Sequence, residues 1–257
     1  MAQFNEKARA GHIHPISRAI FEIRAIFDEL GFEVALGPEI EDEWHNFDAL
    51  NIPKDHPARD MQDTFWLKRD ANMRMHANGA NKLVLRTHTS PVQIRYMEEK
   101  LKAGIQPPYR IIVPGKVFRN EATDATHEAQ FFQVEGLFVD KKVSLAELKG
   151  VLSRFFKKYF GSDVEIRFRP SFFSFTEPSV EVDMRFGSLS NGMRRGKWLE
   201  MAGAGLVHPN VFKAVGYDPE EVTGFAFGMG LERIAMESWG IPEIRLFLEN
   251  DLRFLGQ

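Results

Sequence analysis

The chain has 257 residues with a formal charge of -3, 44% hydrophobic and 27% charged residues, enough apolar material for a sizeable core and no basic imprint of a phosphate-backbone surface. It has no cysteine, which excludes disulfides and thiolate metal sites. No apolar run reaches bilayer length and no signal-peptide core opens the chain, so a cytoplasmic protein without a membrane partner is expected.

Residues 1–13 are expected to fray. Pro15 opens a helix whose Ile16, Ala19, Ile20, Ile23, Phe27 and Leu30 recur at helical spacing, and Gly31 stops it. A short strand over 32–36 ends at Gly37-Pro38. This helix and strand suit a dimer-forming unit, or a helix packed on its own sheet. Residues 39–63 turn acidic, then rich in proline and histidine. His45 and His56 lack the close pairing of a metal motif and are read as loop residues. A strand over 64–67 is followed by a polar, aperiodic stretch over 68–82, read as an insertion.

A strand over 83–89 places Arg86, His88 and Ser90 on one face. Ser90-Pro91-Val92-Gln93 also reads as a helix start, with Ser90 as N-cap and Gln93 at the capping-box position. The stretch over 110–114 leads into a hairpin over 115–140. On its first strand Val117, Arg119 and Glu121 share a face. On the second, Phe131, Gln133 and Glu135 share one face, while Phe132, Val134 and Phe138 form a core face. A ring, an amide and a carboxylate in a row beside an arginine suit a small zwitterion and a flat ring; the alternative is an amphipathic hairpin with a solvated polar side.

Ser144 and Glu147 form a capping box for a helix whose Leu145, Leu148, Leu152, Phe155, Phe156 and Tyr159 make a core stripe. A strand over 164–169 precedes the segment 170–178. If that segment is extended, Phe173, Phe175 and Glu177 point the same way, and the carboxylate needs a cation or a donor. Strands over 180–185 and 197–201 form a hairpin with a basic connection at Arg194 and Arg195. Gly203 and Gly205 mark close backbone approach or a loop junction. A last strand, Phe225-Ala226-Phe227, enters Gly228-Met-Gly230-Leu-Glu232-Arg233, where glycines at a strand-to-helix turn with a following arginine suit a phosphate. The helix runs to about Trp239 and closes at Gly240 and Pro242.

In this order, the helix-strand ending at Pro38, the Phe118-Arg119-Asn120-Glu121 hairpin and Gly228-x-Gly230-x-Glu232-Arg233 resemble motifs 1, 2 and 3 of the class II aminoacyl-tRNA synthetases. Arg86-Thr-His-Thr-Ser90, Gln133-Val-Glu135-Gly136, Phe173-Ser-Phe175-Thr-Glu177-Pro178, Asn46-Phe-Asp-Ala-Leu-Asn-Ile-Pro53 and Gly224-Phe-Ala-Phe-Gly228 are similar to the bacterial phenylalanyl-tRNA synthetase alpha subunit, over nearly the whole chain from His14.

That resemblance implies an α+β fold, a single catalytic domain over 1–257 with an antiparallel sheet of about six strands flanked by helices. It implies ATP-dependent activation of L-phenylalanine and its transfer to tRNA(Phe), with Mg2+ as cofactor. Arg119 would hold the ATP α-phosphate and the amino-acid carboxylate, and Arg233 would meet the terminal phosphates from the far side of the nucleotide; these are the implied catalytic pair. Glu121, His127, Gly228 and Gly230 would serve the nucleotide, with Phe131 stacked on adenine. His88, Ser90, Gln133 and Glu135 would fix the amino group, Phe173 and Phe175 would grip the ring, and Ala226 with Gly228 would set the depth of the pocket. Glu177 resembles the family's magnesium-ligating glutamate, and Glu200 is a weaker second acidic candidate. The family's tRNA-contacting helical extension is expected to be absent. The expected partner is a beta subunit, in an alpha2beta2 assembly, or a second copy through the motif 1 surface. The competing reading is a catalytically silent paralogue that binds an amino acid or a partner protein. A degenerate paralogue should lose Arg119, Glu121 or Arg233, and all three are present.

Overall fold

The computed structural model describes residues 12–68, 82–187, 196–251 and 254. Most of the insertion expected over 68–82, and Arg194 and Arg195, lie outside the described residues.

Helix α1 (Pro15–Asp28) starts as its sequence dictates. Pro15 supplies the fixed φ of a first turn, and the ring of His14 accepts from the Ile16 amide at 3.2 Å. Its stripe of Ile16, Ala19, Ile23, Ile26 and Phe27 is buried, and Gly31 turns the chain out at φ +79. Then follow strands β1 (Glu33–Val34) and β2 (Ile40–Asp42), helix α2 (Glu43–Asn46), 3-10 turns at Asp48–Leu50 and Pro57–Arg59, and strands β3 (Trp66–Leu67) and β4 (Leu83–Leu85). Helix α3 (Ser90–Lys102), the long pair β5 (Tyr109–Phe118) and β6 (Gln130–Asp140), helix α4 (Leu145–Phe160), and strands β7 (Glu165–Phe173), β8 (Thr176–Arg185) and β9 (Leu199–Val207) come next. Helix α5 (Pro209–Val215), strand β10 (Thr223–Gly230) and helix α6 (Leu231–Trp239) complete the frame, with a 3-10 turn at Ile244–Phe247.

The main sheet has the order β1-β5-β6-β10-β9-β8-β7. Six of its strands are antiparallel, as the resemblance implied, and the two-residue β1 adds a parallel edge beside β5. Strands β2, β4 and β3 form a separate small sheet. Strand β10, late in the chain, inserts between β6 and β9, so the two glycine-bearing positions Gly228 and Gly203 stand opposite one another and Gly228 also stands opposite Glu135.

Alternation along these strands separates two layers. Phe225, Phe227 and Met229 of β10, with Val134 and Phe138 of β6, join the core built with α1, α4 and α6. There Phe27 stacks on Phe155 at 5.0 Å and on Phe227 at 5.3 Å. The opposite face carries a second core with α3, α5 and the 47–52 segment. Ala226, Gly228, Gln133 and Glu135 belong to that face, and the candidate site opens there.

Several local expectations change. The stretch over 110–114 is not a lead-in but part of β5, paired with β6 from Tyr109 onward. Strand β4 stops at Leu85, so Arg86, His88 and Ser90 do not share a strand face. Arg86 turns inward and its guanidinium donates to the carbonyls of Gly37, Pro38 and Lys116, a clamp between segments. His45 is not a loop residue. It is buried in α2, between Asp42 at 2.8 Å and Glu98 at 3.2 Å. His56 caps the Pro57–Arg59 turn through its ring. Among the described residues no helix is long and apolar enough to cross a membrane.

Candidate active site

A cavity of about 420 Å³ lies between the open face of the main sheet, the start of α3, the β7–β8 turn and the 47–58 segment. That is within the ~300–1,000 Å³ typical of small-molecule sites. Its two ends differ in chemistry.

At the polar end Glu135 accepts from the Thr89 amide at 2.9 Å, from Ser90 Oγ at 2.5 Å and from Gln93 Nε2 at 2.9 Å. Ser90 is therefore not the N-cap, and Gln93 does not complete a capping box. Thr89 occupies the cap position, and the Ser90 and Gln93 side chains turn to the carboxylate, because a buried anion attracts donors strongly. Burial still raises the Glu135 carboxyl above the usual carboxylate range, against these hydrogen bonds and the nearby charge of Arg119. A cation placed beside it is favoured. His88 is half-buried, yet both ring nitrogens are shut off from solvent without a partner among the described residues, as is Gln133 Oε1. Burial, then the charges of Arg119 and Arg86, push the imidazole down to about 3, so it is neutral at physiological pH. A neutral imidazole offers one acceptor and one donor, so the acceptors here are one His88 nitrogen and Gln133 Oε1; such unpaired groups typically cost about 1–3 kcal/mol each, and a ligand that donates to them recovers that.

At the apolar end Phe173 and Phe175 stack with centroids 5.8 Å apart and planes 16° apart. They do so across a turn, not along one extended strand: β7 ends at Phe173 and β8 begins at Thr176. The turn sends Glu177 elsewhere. Its exposed carboxylate pairs with His208 at 3.3 Å and does not line the cavity. Glycine is required on the neighbouring strand, since a Cβ at Gly203 would lie 2.8 Å from the Phe173 ring. Ala226 and Gly228 form the floor between the two ends, and Glu200 lines the cavity without a hydrogen bond or ion pair among the described residues.

Arg119 connects the cavity to the hairpin. Its Nε donates to the Thr87 carbonyl at 3.2 Å, Glu121 lies 3.9 Å from Nη1, and the guanidinium sits 5.1 Å from the Phe131 ring centroid. His127 belongs to the exposed hairpin tip, where its ring meets Asp124 at 2.9 Å. The structure thus gathers His88, Ser90, Arg119, Gln133, Glu135, Phe173, Phe175, Glu200, Ala226 and Gly228 around one cavity, with Glu121 and Phe131 adjoining through Arg119. Gly230 stands at the N-cap of α6, and Arg233 is exposed on the first turn of that helix, outside the lining. Two residues have roles that their local sequence does not signal. Gln93 has a position that suggests a cap, and Glu232 hides beside Arg233. The buried Glu232 carboxylate accepts from the Phe132 amide at 2.9 and 3.0 Å, which ties α6 to β6 between Phe131 and Gln133.

A family model described as tRNA synthetases class II core domain (F) matches residues 1–257. The phenylalanine--tRNA ligase alpha subunit of Azoarcus sp. (strain BH72) is 52% identical over 255 residues, covering 97% of this chain and 70% of that protein. The protein of the same name from Myxococcus xanthus (strain DK1622) is 55% identical over 252 residues, covering 96% and 70%. Among solved structures, pyrrolysyl-tRNA synthetase from Desulfitobacterium hafniense superposes with a TM-score of 0.67 at 17% identity, over 92% of this chain and 74% of that one, a likeness of fold. Sequence identity above one half along almost the entire chain, on a class II sheet, means that the chain belongs to the phenylalanine--tRNA ligase alpha-subunit family of class II tRNA synthetases.

Proposed function

We propose that the chain joins L-phenylalanine to ATP as phenylalanyl-adenylate, and passes the phenylalanyl group to tRNA(Phe) as the alpha subunit of a cytoplasmic enzyme completed by a beta subunit. The observation that carries the reading is the division of one cavity into an end with unpaired acceptors at His88 and Gln133 beside the Glu135 carboxylate, and an end made of two stacked rings. The amino group fits the first and the benzyl ring the second. The substrate carboxylate then faces Arg119, which adjoins Phe131 and Glu121 on the nucleotide side.

The chemistry needs no side-chain nucleophile. A carboxylate oxygen of phenylalanine bonds to the α-phosphorus of ATP, the bond from that phosphorus to the bridging oxygen breaks, and pyrophosphate leaves with the electron pair. The carboxylate is already ionised at neutral pH, so no base is required. The site supplies alignment and neutralises phosphate charge. Arg119 acts at the α-phosphate and the carboxylate, and Phe131 supports adenine. Arg233, Glu121, His127, Gly228 and Gly230 complete the nucleotide side. Magnesium in phosphate-transfer sites is usually held by one or two carboxylates together with the phosphates. Glu200, a carboxylate on the cavity wall with no hydrogen bond or ion pair among the described residues, fits that role; Glu177 fits only a separate site on the outside. The ion, when bound, offsets phosphate charge. Selection against tyrosine rests on the apolar ring end, where a hydroxyl would go unpaired at a cost of about 1–3 kcal/mol.

The test is phenylalanine-dependent exchange of pyrophosphate into ATP, run with the purified chain alone and with a beta subunit. Exchange with phenylalanine well above that with tyrosine is the expected result. No exchange under either condition rejects the proposal.

A further inference from the structure

The turn that separates the two stacked rings is gripped from outside at both of its carbonyls. Asn51 Nδ2 donates to the Ser174 carbonyl at 2.6 Å, and the His208 amide donates to the Phe175 carbonyl at 2.9 Å. Asn210 Nδ2 in turn donates to Asn51 Oδ1 at 3.1 Å, which holds the Asn51 amide with its NH2 group toward the turn. On the strand side the Phe173 amide is already fixed by Ser179 Oγ at 3.0 Å.

Asn51 closes the Asp48–Leu50 turn in the left-handed region, at φ 56 and ψ 26. Asparagine tolerates that conformation better than most residues with a side chain. Its neighbours Leu50 and Ile52 both line the cavity, whereas Asn51 itself reaches past the wall to the turn. One side chain therefore sets the distance between the 47–52 wall and the peptide that carries Phe173 on one side and Phe175 on the other. A shift of the Ser174 peptide moves both rings together.

We infer that Asn51, oriented by Asn210, is a positioning residue that sets the width of the ring slot and hence affinity and selectivity for the aromatic amino acid. The inference rests on the reading of this cavity as the phenylalanine site.

Calorimetric titration of the purified chain with L-phenylalanine, L-tyrosine and ATP tests it. Asn51→Gly keeps the left-handed backbone and deletes the amide; Asn51→Asp keeps the shape but has no donor for Ser174. Loss of one such bond should raise the dissociation constant for phenylalanine about three- to tenfold in either variant, with ATP binding unchanged within about twofold. The gap between phenylalanine and tyrosine should narrow. Asn210→Ala, which loosens the same amide without touching the 48–51 turn, should give a smaller change in the same direction, and it serves where an Asn51 variant fails to fold. Unchanged phenylalanine affinity in Asn51→Asp, or an equal loss of phenylalanine and ATP affinity, overturns the inference and leaves the proposed function standing. A wild-type chain that binds ATP but not phenylalanine removes both.

Discussion

Ser90 Oγ donates to Glu135 Oε2 at 2.5 Å, joining the first residue of α3 to a strand residue 45 positions further along the chain. That bond orients a carboxylate at the polar end of the cavity and anchors the helix to the sheet. Ser90→Ala removes a charge-assisted bond from a buried acceptor and should cost about 1.5–3 kcal/mol of stability, read by urea denaturation. Glu135→Gln keeps the shape but removes the charge that favours an ammonium group. Phenylalanine binding should then fall at least tenfold with ATP binding retained; equal affinity for phenylalanine in Glu135→Gln would reject an amino-group role for this end of the cavity.

Gly203 sits beneath Phe173, with room for no side chain: a Cβ there would stand 2.8 Å from the ring. Gly203→Ala must therefore displace the ring. Overpacking of this kind typically costs about 1–3 kcal/mol, and here it falls on the bound state as well as the fold. The expected outcome is a rise in the KM for phenylalanine of about tenfold with the KM for ATP little changed. On the adjacent strand, Ala226→Gly deepens the floor and should admit phenylalanines with a para substituent that the parent excludes. Equal acceptance of such analogues by parent and variant would show that Ala226 does not bound the ring.

How much of this was legible in the sequence depended on whether local pattern decided the outcome. Helix α1 and the Ser144–Glu147 capping box were readable because cap, stripe and stop signal agree. Alternation on β6 separated Val134 and Phe138 from Gln133 and Glu135 correctly, since one face had to join the core. Ser90 and Gln93 misled because a local cap and a distant buried carboxylate compete for the same groups, and only the fold reveals the carboxylate. The segment 170–178 misled in the same way. Nothing local marks Ser174 as a turn, because its carbonyl is held by Asn51, 123 residues earlier. Strand β10 gave no hint that it would part β6 from β9, and that insertion is what assembles the floor.

Arg119 is the residue through which the cavity meets the hairpin, and its geometry is specific to a guanidinium. Nε bonds the Thr87 carbonyl while the plane lies near the Phe131 ring. Arg119→Lys retains the charge and loses both features. Removing a preorganised donor from a developing charge typically slows the step by about 10²–10³-fold, and that loss is expected in pyrophosphate exchange. Phenylalanine binding in the absence of ATP should fall far less. A lysine variant with exchange within about threefold of the parent would show that charge alone suffices, since a tenfold change is about 1.4 kcal/mol.

Glu232 gives the fold a measurable pH signature. Burial pushes its carboxyl up to about 7 from an ordinary 4.5, against the hydrogen bond from the Phe132 amide. Between those two values the folded chain holds a proton that the unfolded chain has released. Stability from this group is therefore greatest at low pH, declines as pH rises from about 4.5 to about 7, and is flat above; a shift of this size corresponds to about 3 kcal/mol. His88 acts in the opposite sense. Its imidazole is pushed down to about 3, so the unfolded chain takes up a proton first and stability is lost as pH falls below about 6.5. The two slopes offset one another in the parent near pH 5–6, and variants separate them. Glu232→Gln keeps an oxygen for the Phe132 amide and cannot ionise. Its stability relative to the parent should improve progressively from pH 5 to pH 7 and then level off. A difference that does not vary with pH would mean that the Glu232 carboxyl titrates at its ordinary value, and that the bond tying α6 to the strand of Phe131 and Gln133 carries a full charge throughout.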